Sequence, residues 1–478
     1  MKRLGLMKFA GFTTGAAALA GCTLIGPTYE APDISAYEPE AFINNDGYDN
    51  NEALSAWWTR FEDDKLNELI SLGLAENREL GAAYANVNIA RAQWGLARLN
   101  RAPFDTITSS YLESRTGSAV FIASTGGSGA NPFPTNDISD INVAATWEVD
   151  LFGRVTRTIN IGKANLGEAQ YVLADLQTLI ISDIADAYIN LRGLQAQRAV
   201  ALNNVANQDD TLKLTEVRRD AGRGTDLDVE RAKSQLAGTR AIVPPLDAAI
   251  KASLYQLGVL TGQSPAQINA IVEDPAPLPM IKGAIPIGDP AAFLRRRPDI
   301  AASEQALAAA TEQVGLDIAE AFPRIDLTGQ VGYQAVGFQD QFSSKALNFA
   351  TGPSITWSLT NLLRARKSVQ ASRAGIDAAF NTYENTVLSA LAEAETAFAN
   401  QALLQEQLIE LVEAERASRE AARLARLRYE NGAEDFLSVL DAERRDLEAA
   451  DALAAVRTAT AQSQVAVFRA LRAGPTQD

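Results

Sequence analysis

The chain has no histidine and one cysteine in 478 residues. It therefore lacks the usual zinc ligand and the usual general base near neutral pH. Cys22 alone permits no internal disulfide and no cysteine-cluster metal site, so neither a metal nor any other cofactor is expected. Beyond the first twenty or so residues, no apolar run is long enough to cross a bilayer as a helix. A formal net charge of −16 argues against nucleic acid and against a basic membrane-surface patch. The carboxylate pair Asp63 and Asp64 is of a type that does acid–base work. It stands without a glycine-rich phosphate loop or a pocket-forming α/β pattern, and as charge at a helix N-terminus it needs no substrate. The chain is not expected to be an enzyme.

Proline is missing from Ser354 to Gly474, and only one glycine turn, Asn431-Gly432, interrupts the helical pattern there. The leg from Arg364 to Asn431 predicts a helix of roughly 100 Å at 1.5 Å per residue. Its apolar positions Ile376, Phe380, Tyr383, Val387, Leu391, Ala394 and Phe398 step by three and four, the narrow seam of a coiled coil. After the turn, which supplies a left-handed residue, the pattern returns through Phe436, Leu437, Val439 and Leu440.

The same unit occurs earlier. Trp147, Tyr188, Gly222, Val229 and Ala232 lie 210 positions before Trp357, Phe398, Gly432, Val439 and Ala442, while Arg78 and Pro103 lie 220 before Pro298 and Pro323. One duplication with a ten-residue length difference between Pro103 and Trp147 accounts for both offsets. The glycine- and serine-rich run Ser124–Thr135 reads as the extra loop.

Each copy carries two alternating segments followed by a helical hairpin. Strands are predicted at about 105–115 and 139–152, with a hairpin at 154–243, then strands at 324–337 and 346–359, with a hairpin at 362–473. In the second copy Ile325, Leu327, Val331, Tyr333 and Ala335 alternate with Asp326, Thr328, Gln330 and Gln334. Such segments suit a transmembrane barrel wall; a half-buried soluble hairpin alternates in the same way. Pro353 implies a bulge or a missing ladder bond, and Pro244-Pro245 is expected to break the return helix. Arg297-Pro298-Asp299 supplies a complete helix start without needing an anion. Trp57 and Trp58 read as packing anchors for a helical pattern that continues to about Asn100. Four strands cannot close a barrel, for which about eight are the minimum, so copies must pool their strands.

At the other end, Lys2, Arg3 and Lys8 precede an apolar stretch ending Leu19-Ala20-Gly21-Cys22, the layout of a secretory signal. The boundaries are then a signal peptide at 1–21, an extended tail at 22–55, the first repeat at 56–262, a proline-rich connector at 263–292, the second repeat at 293–473 and a short tail at 474–478. Leu19 to Cys22 resembles a bacterial lipobox, which implies cleavage after Gly21, acyl chains on Cys22 and, with Thr23 following, an outer-membrane destination.

Taken together, these residues resemble the TolC-like outer-membrane efflux proteins, in the lipoprotein (NodT-type) branch of the RND efflux outer-membrane factors. The resemblance rests on Cys22 with Gly26-Pro27-x-Tyr29, Trp57-Trp58-x-x-Phe61, Trp147-x-x-Asp150-Leu151-Phe152-Gly153-Arg154, Arg297-Pro298-Asp299-Ile300, Phe322-Pro323 and Leu437-x-Val439-Leu440-Asp441-Ala442. It implies a mainly α fold with a membrane β-barrel portion. Three chains would share a 12-stranded barrel in the outer membrane, continuous with a periplasmic coiled-coil tube. It implies an exit duct of a tripartite efflux system, with a periplasmic adaptor and an inner-membrane transporter of the RND type as partners.

It further implies an adaptor-contacting tip at Gly222, Arg223, Gly224, Asn431, Gly432 and Ala433. A periplasmic gate follows, with Asp441 in a carboxylate ring and Asp228 with Tyr429 as a polar pair between neighbouring hairpins. Ser438 and Glu434 depart from the family pattern, so a latch through Arg428 or Arg223 to Glu434 or Asp435 is expected instead. The alternative is a periplasmic coiled-coil adaptor or a structural lipoprotein of an export complex, neither of which has a use for two strand-pair-plus-hairpin copies.

Overall fold

The computed structural model describes residues 24–35, 37–38, 42–43, 48–49, 55–115, 135–272, 274–287 and 292–474. The signal peptide, Cys22, the loop up to residue 134 and the last four residues lie outside the described residues. In chain order the elements are β1 (Tyr48–Asp49), a 3-10 turn (Trp57–Phe61), α1 (Asp64–Glu76), α2 (Arg78–Leu99), β2 (Phe104–Arg115), β3 (Thr135–Glu148), α3 (Arg154–Asp220) and α4 (Asp226–Leu260). There follow α5 (Pro265–Val272), β4 (Ile285–Pro286), α6 (Phe293–Arg296), α7 (Pro298–Ala319), β5 (Arg324–Val336), β6 (Leu347–Thr356), α8 (Leu359–Glu430) and α9 (Phe436–Ala470).

Contacts divide the chain into two compact units, and each draws on both sequence repeats. The first holds residues 1–31, 88–167 and 304–381; the second holds 32–87, 168–303 and 382–478. The repeats are thus not domains. Corresponding pieces of the two pack together.

The first unit is built on one antiparallel sheet of order β2-β3-β5-β6. Its register is unbroken: Ile107 pairs with Val143, Val143 with Val331, and Val331 with Phe349. Pro353 sits opposite Leu327 without a bulge; the Gln334 N to Ala346 carbonyl bond sets an alternation in which 327 and 353 form a non-hydrogen-bonded pair, so the donor proline lacks is not missed in the β5–β6 ladder. β3 stops at Glu148 rather than at the expected 152, because Asp150 leaves the strand to cap α3. Its carboxylate accepts from Val155 N at 2.9 Å and from Thr156 N at 2.8 Å, which satisfies orphan donors of the first helical turn. β6 likewise ends at Thr356, and α8 begins at Leu359.

The second unit is helical, with one short parallel pairing, Tyr48 to Ile285. The coiled-coil seam is buried here at Tyr383, Val387, Ala394 and Phe398. Phe398 is its hub, with ring centroids 4.8 Å from Phe42 and 5.0 Å from Tyr48. The tail at 22–55 is docked on the helices at these positions. Trp57 is the anchor it was read as: it stacks on Phe468 at 4.6 Å and donates from Nε1 to the Ala473 carbonyl at 3.1 Å. Asp63 caps α1, accepting from Lys65 N and Leu66 N. The helical pattern to Asn100 is broken twice, at Glu62 and Asp63 between the 3-10 turn and α1 and at Asn77, whose Oδ1 accepts from Glu79 N and Leu80 N to start α2.

Pro244-Pro245 does not break α4, which runs on to Leu260. The prolines and the two preceding positions that lose their hydrogen bonds, Arg240 and Ala241, are all exposed, so water takes the freed carbonyls. Buried Leu236 and Thr239 on one side and Leu254 and Leu257 on the other hold both halves in register.

Arg297 opens α7 as a structural residue. Its buried guanidinium meets Asp299 at 2.7 Å and Glu393 at 2.9 Å, while Arg472 meets Asp175 at 2.6 Å and Glu393 at 3.3 Å. Burial works to raise the Asp299 pKa, but hydrogen bonding and charge from Arg297 outweigh it and hold it below the usual carboxylate range. At Asp175 burial wins over Arg472 and the pKa is raised.

Replacing Phe398 by Ala should cost about 3–5 kcal/mol, the usual result of emptying a buried aromatic site. Chemical denaturation reads it, and a loss below about 1 kcal/mol would show that the hub collapses around the vacancy.

Candidate membrane face and periplasmic gate

The sheet separates two chemistries. Ile107, Val143, Val331 and Phe349 line up across the four strands on one face, and all are exposed. The next row, Thr108, Asn142, Gly332 and Asn348, lies on the other face. An apolar face turned outward over every strand, with a polar reverse, is what a barrel wall in lipid requires. Among the described residues, β2 and β6 each have one edge without a strand partner.

Aromatic residues mark both ends of the apolar band. At one end Trp147 Nε1 donates to the Arg101 carbonyl at 3.0 Å, and Trp357 Nε1 donates to the Ala321 carbonyl at 3.1 Å. The tryptophans are 210 residues apart and their acceptors 220, so one pair of hydrogen bonds contains both offsets of the duplication. At the other end Tyr111 lies 6.0 Å from Phe338, and Tyr333 lies 5.7 Å from Phe342. Tyr111 pairs with Ser139, so a tilted β3 between the two belts spans roughly 20 Å of hydrocarbon.

The two helical turns lie in the second unit and repeat one another bond for bond. Gly222 N donates to the Arg219 carbonyl and Arg223 N to the Arg218 carbonyl, both at 2.8 Å; Gly432 N donates to the Tyr429 carbonyl and Ala433 N to the Arg428 carbonyl, both at 2.9 Å. Gly222 and Gly432 have φ of +69° and +74°, a conformation in which only glycine is unstrained. A side chain there would meet nothing within 4 Å, so conformation and not crowding selects the glycines.

The caps that restart the helices exchange chemistry between copies. Thr225 caps α4 with Asp228 as its reciprocal carboxylate, the Thr225 hydroxyl lying 2.8 Å from Asp228 Oδ2. Asp435 caps α9 and accepts from Ser438 N at 2.8 Å and from its hydroxyl at 3.0 Å. Ser438 thus completes a cap. These bonds, the backbone one first, lower the Asp435 pKa.

Within the chain Asp228 and Tyr429 are not brought together. Asp228 is held in its capping box, with Arg231 3.9 Å away. Tyr429 is buried against Phe436 at 5.7 Å, in a cluster with Val439 and Ala232. Arg218 lies 4.3 Å over the Tyr429 ring and donates to its carbonyl. Glu434 lies 3.7 Å from Arg428. Asp441 is partly exposed and braced by Arg444 at 2.9 Å and Arg445 at 2.8 Å. Hydrogen bonds from Arg444 and then Arg445 lower its pKa, so it stays charged well into acid.

A buried tie joins the two hairpins, and no sequence pattern points to it. Glu443 of α9 is buried, accepts from Arg426 of α8 at 2.7 Å and from the Thr211 hydroxyl of α3 at 2.6 Å, while Arg426 also reaches the Asn207 carbonyl at 2.9 Å. Thr211 and Glu443 are not equivalent in the repeat, so no sequence offset pairs them. Arg218 was findable, since it lies 210 positions before Arg428.

A sheet with a lipid face and two unpartnered edges, joined to paired hairpins, defines a channel protomer; an adaptor or a spacer has no place for the sheet. A family model described as outer membrane efflux protein matches residues 69–263 and 290–472, and the chain belongs to that family. It is 27% identical over 463 residues to Nodulation protein T of Rhizobium leguminosarum bv. viciae, covering 95% of this chain and 91% of that protein. Identity to the pyoverdine export outer membrane protein OpmQ of Pseudomonas aeruginosa is 30% over 430 residues, 88% of each. The outer-membrane channel OprN superposes with a TM-score of 0.89 at 37% identity, over 95% of this chain and 99% of that one. The protein is an outer-membrane efflux channel component, located in the outer membrane and periplasm.

Arg426→Met should weaken the pairing of the hairpins by about 3 kcal/mol, because loss of one partner leaves the buried Glu443 carboxylate uncompensated. Hydrogen exchange across α3 and α8 near their turns measures this; unaltered protection there would show that the trio ties nothing.

Proposed function

We propose that three copies close a 12-stranded barrel through the open edges of β2 and β6, forming the exit duct of a tripartite efflux system. The carrying observation is the sheet: four strands with an outward apolar face, belt aromatics at both ends and two unpartnered edges. Unpaired edges are not tolerated in hydrocarbon. Closure by further copies satisfies them.

The duct is a passive conduit and performs no catalysis. An inner-membrane transporter of the RND type supplies the energy, and a periplasmic adaptor engages the turns at Gly222–Gly224 and Asn431–Ala433. Arg428 with Glu434, and the bracing of Asp441 by Arg444 and Arg445, support a gate there in which carboxylates narrow the path. Acyl chains on Cys22 anchor the chain in the outer membrane, since two or more chains hold stably where one does not. The relatives' names connect one with nodulation and another with pyoverdine export. Such variety among similar ducts supports cargo selection in the transporter.

The mature protein in detergent should have the mass of a trimer, and in planar bilayers it should give small cation-sensitive channels. Asp441→Ala leaves Arg444 and Arg445 unbraced, so cation block should weaken and the reversal potential should move towards anion preference. Monomers that never insert would remove the channel reading, and a variant with unchanged ion selectivity would remove Asp441 from the gate.

A further inference from the structure

Arg157, on the first turns of α3, is 1% exposed. A guanidinium this deep needs a reason, because burying a charge is costly unless it is paired and hydrogen-bonded. It meets Glu312 of α7 at 2.7 Å and donates from Nη2 to the Ile25 carbonyl at 3.1 Å. Its second partner therefore belongs to the N-terminal tail.

Three glycines make room for the same segment. Gly26 has φ of +103°, and a Cβ there would come within 2.9 Å of the Gly315 Cα. Gly315, inside α7, is where a side chain would run into the Arg157 guanidinium. Gly153, with φ of +81°, carries Leu24 directly on its bare face. The next tie along the tail is the Tyr29 hydroxyl, which donates to Glu304 at 2.9 Å. A buried guanidinium and a mid-helix glycine both face this strap.

We infer that Arg157 is a positioning residue that seats the acyl-bearing N-terminus against the rim of the sheet. The inference rests on the proposed acylation of Cys22. Cys22 lies three positions before Ile25, a reach of about 10 Å, and seven before Tyr29, a reach of about 24 Å. Gly153 follows Trp147 by six residues, so the seated tail delivers the acyl chains close to the tryptophan belt. The clamp turns a tether into an orienting device that presents the apolar face of the sheet to the bilayer.

Effective concentration falls roughly as the −3/2 power of tether length, so opening the clamp, which lengthens the tether from three residues to seven, should slow membrane insertion about three- to fourfold. The test compares full-length mature protein, Arg157→Met and Gly26→Val, each with Cys22 intact and with Cys22→Ala. The readout is the rate of dye release from vesicles of phosphatidylethanolamine and phosphatidylglycerol. Gly26→Val strikes from the tail side and leaves Arg157 and Glu312 paired, so it reports even if Arg157→Met folds poorly. Both substitutions should slow insertion of acylated protein and leave the Cys22→Ala forms unchanged. Equal slowing in both backgrounds, or none in the acylated one, overturns the clamp. A mass spectrum of the mature chain without acyl groups overturns the anchor itself, and the clamp with it, so the two failures are distinguishable.

Discussion

Backbone amides and carbonyls placed in hydrocarbon must all find partners inside protein. A four-stranded sheet leaves two rows of them open, at β2 and β6. The rest of the structure can be understood from that deficit. The apolar row Ile107, Val143, Val331 and Phe349 makes lipid the natural environment of one face, and the open edges make a single copy insufficient in it. Under the proposed closure by neighbouring copies, the polar row containing Asn142 and Asn348 would line the pore.

The duplication distributes this task evenly. Each repeat contributes two strands to one unit and most of its hairpin to the other, so the repeats interleave instead of folding apart. Equivalent positions keep equivalent bonds where geometry is demanding, as in the two tryptophan anchors and the two glycine turns. Where geometry is tolerant they diverge. A capping box works with hydroxyl and carboxylate in either order, and the chain uses both: Thr225 with Asp228 and Asp435 with Ser438. The departure at Ser438 thus has a local cause in helix capping.

Buried charge appears wherever distant segments must be held in one arrangement. Arg297 and Arg472 gather Asp175, Asp299 and Glu393; Arg426 and Glu443 bridge α8 and α9 to α3; Arg157 joins α7 to the tail. In each case one guanidinium satisfies several acceptors at once, which its fork of donors allows and an ammonium does not. Removing a partner from such a set is far more costly than the set is stabilising, so these clusters define geometry more than they add stability.

The sequence by itself determined what depends on period and local conformation. The alternation in β5 and β6, the three-and-four seam through Val387 and Phe398, the left-handed glycines and the 210-residue offset are all properties of neighbouring residues or of simple spacing. Two local readings were reversed by surroundings: β3 ends early because Asp150 is drawn into a cap, and α4 continues through Pro244-Pro245 because packing on both sides outweighs the lost hydrogen bonds. Only the tertiary structure decided that Thr211, Arg426 and Glu443 form one tie, and that Arg157 holds the Ile25 carbonyl. The Thr211–Glu443 and Arg157–Ile25 contacts join residues 232 and 132 positions apart, and no periodicity encodes them. The first exists because two copies of one unit pack against each other, the second because the tail folds back onto a helix far along the chain, and both bring otherwise unrelated side chains within reach.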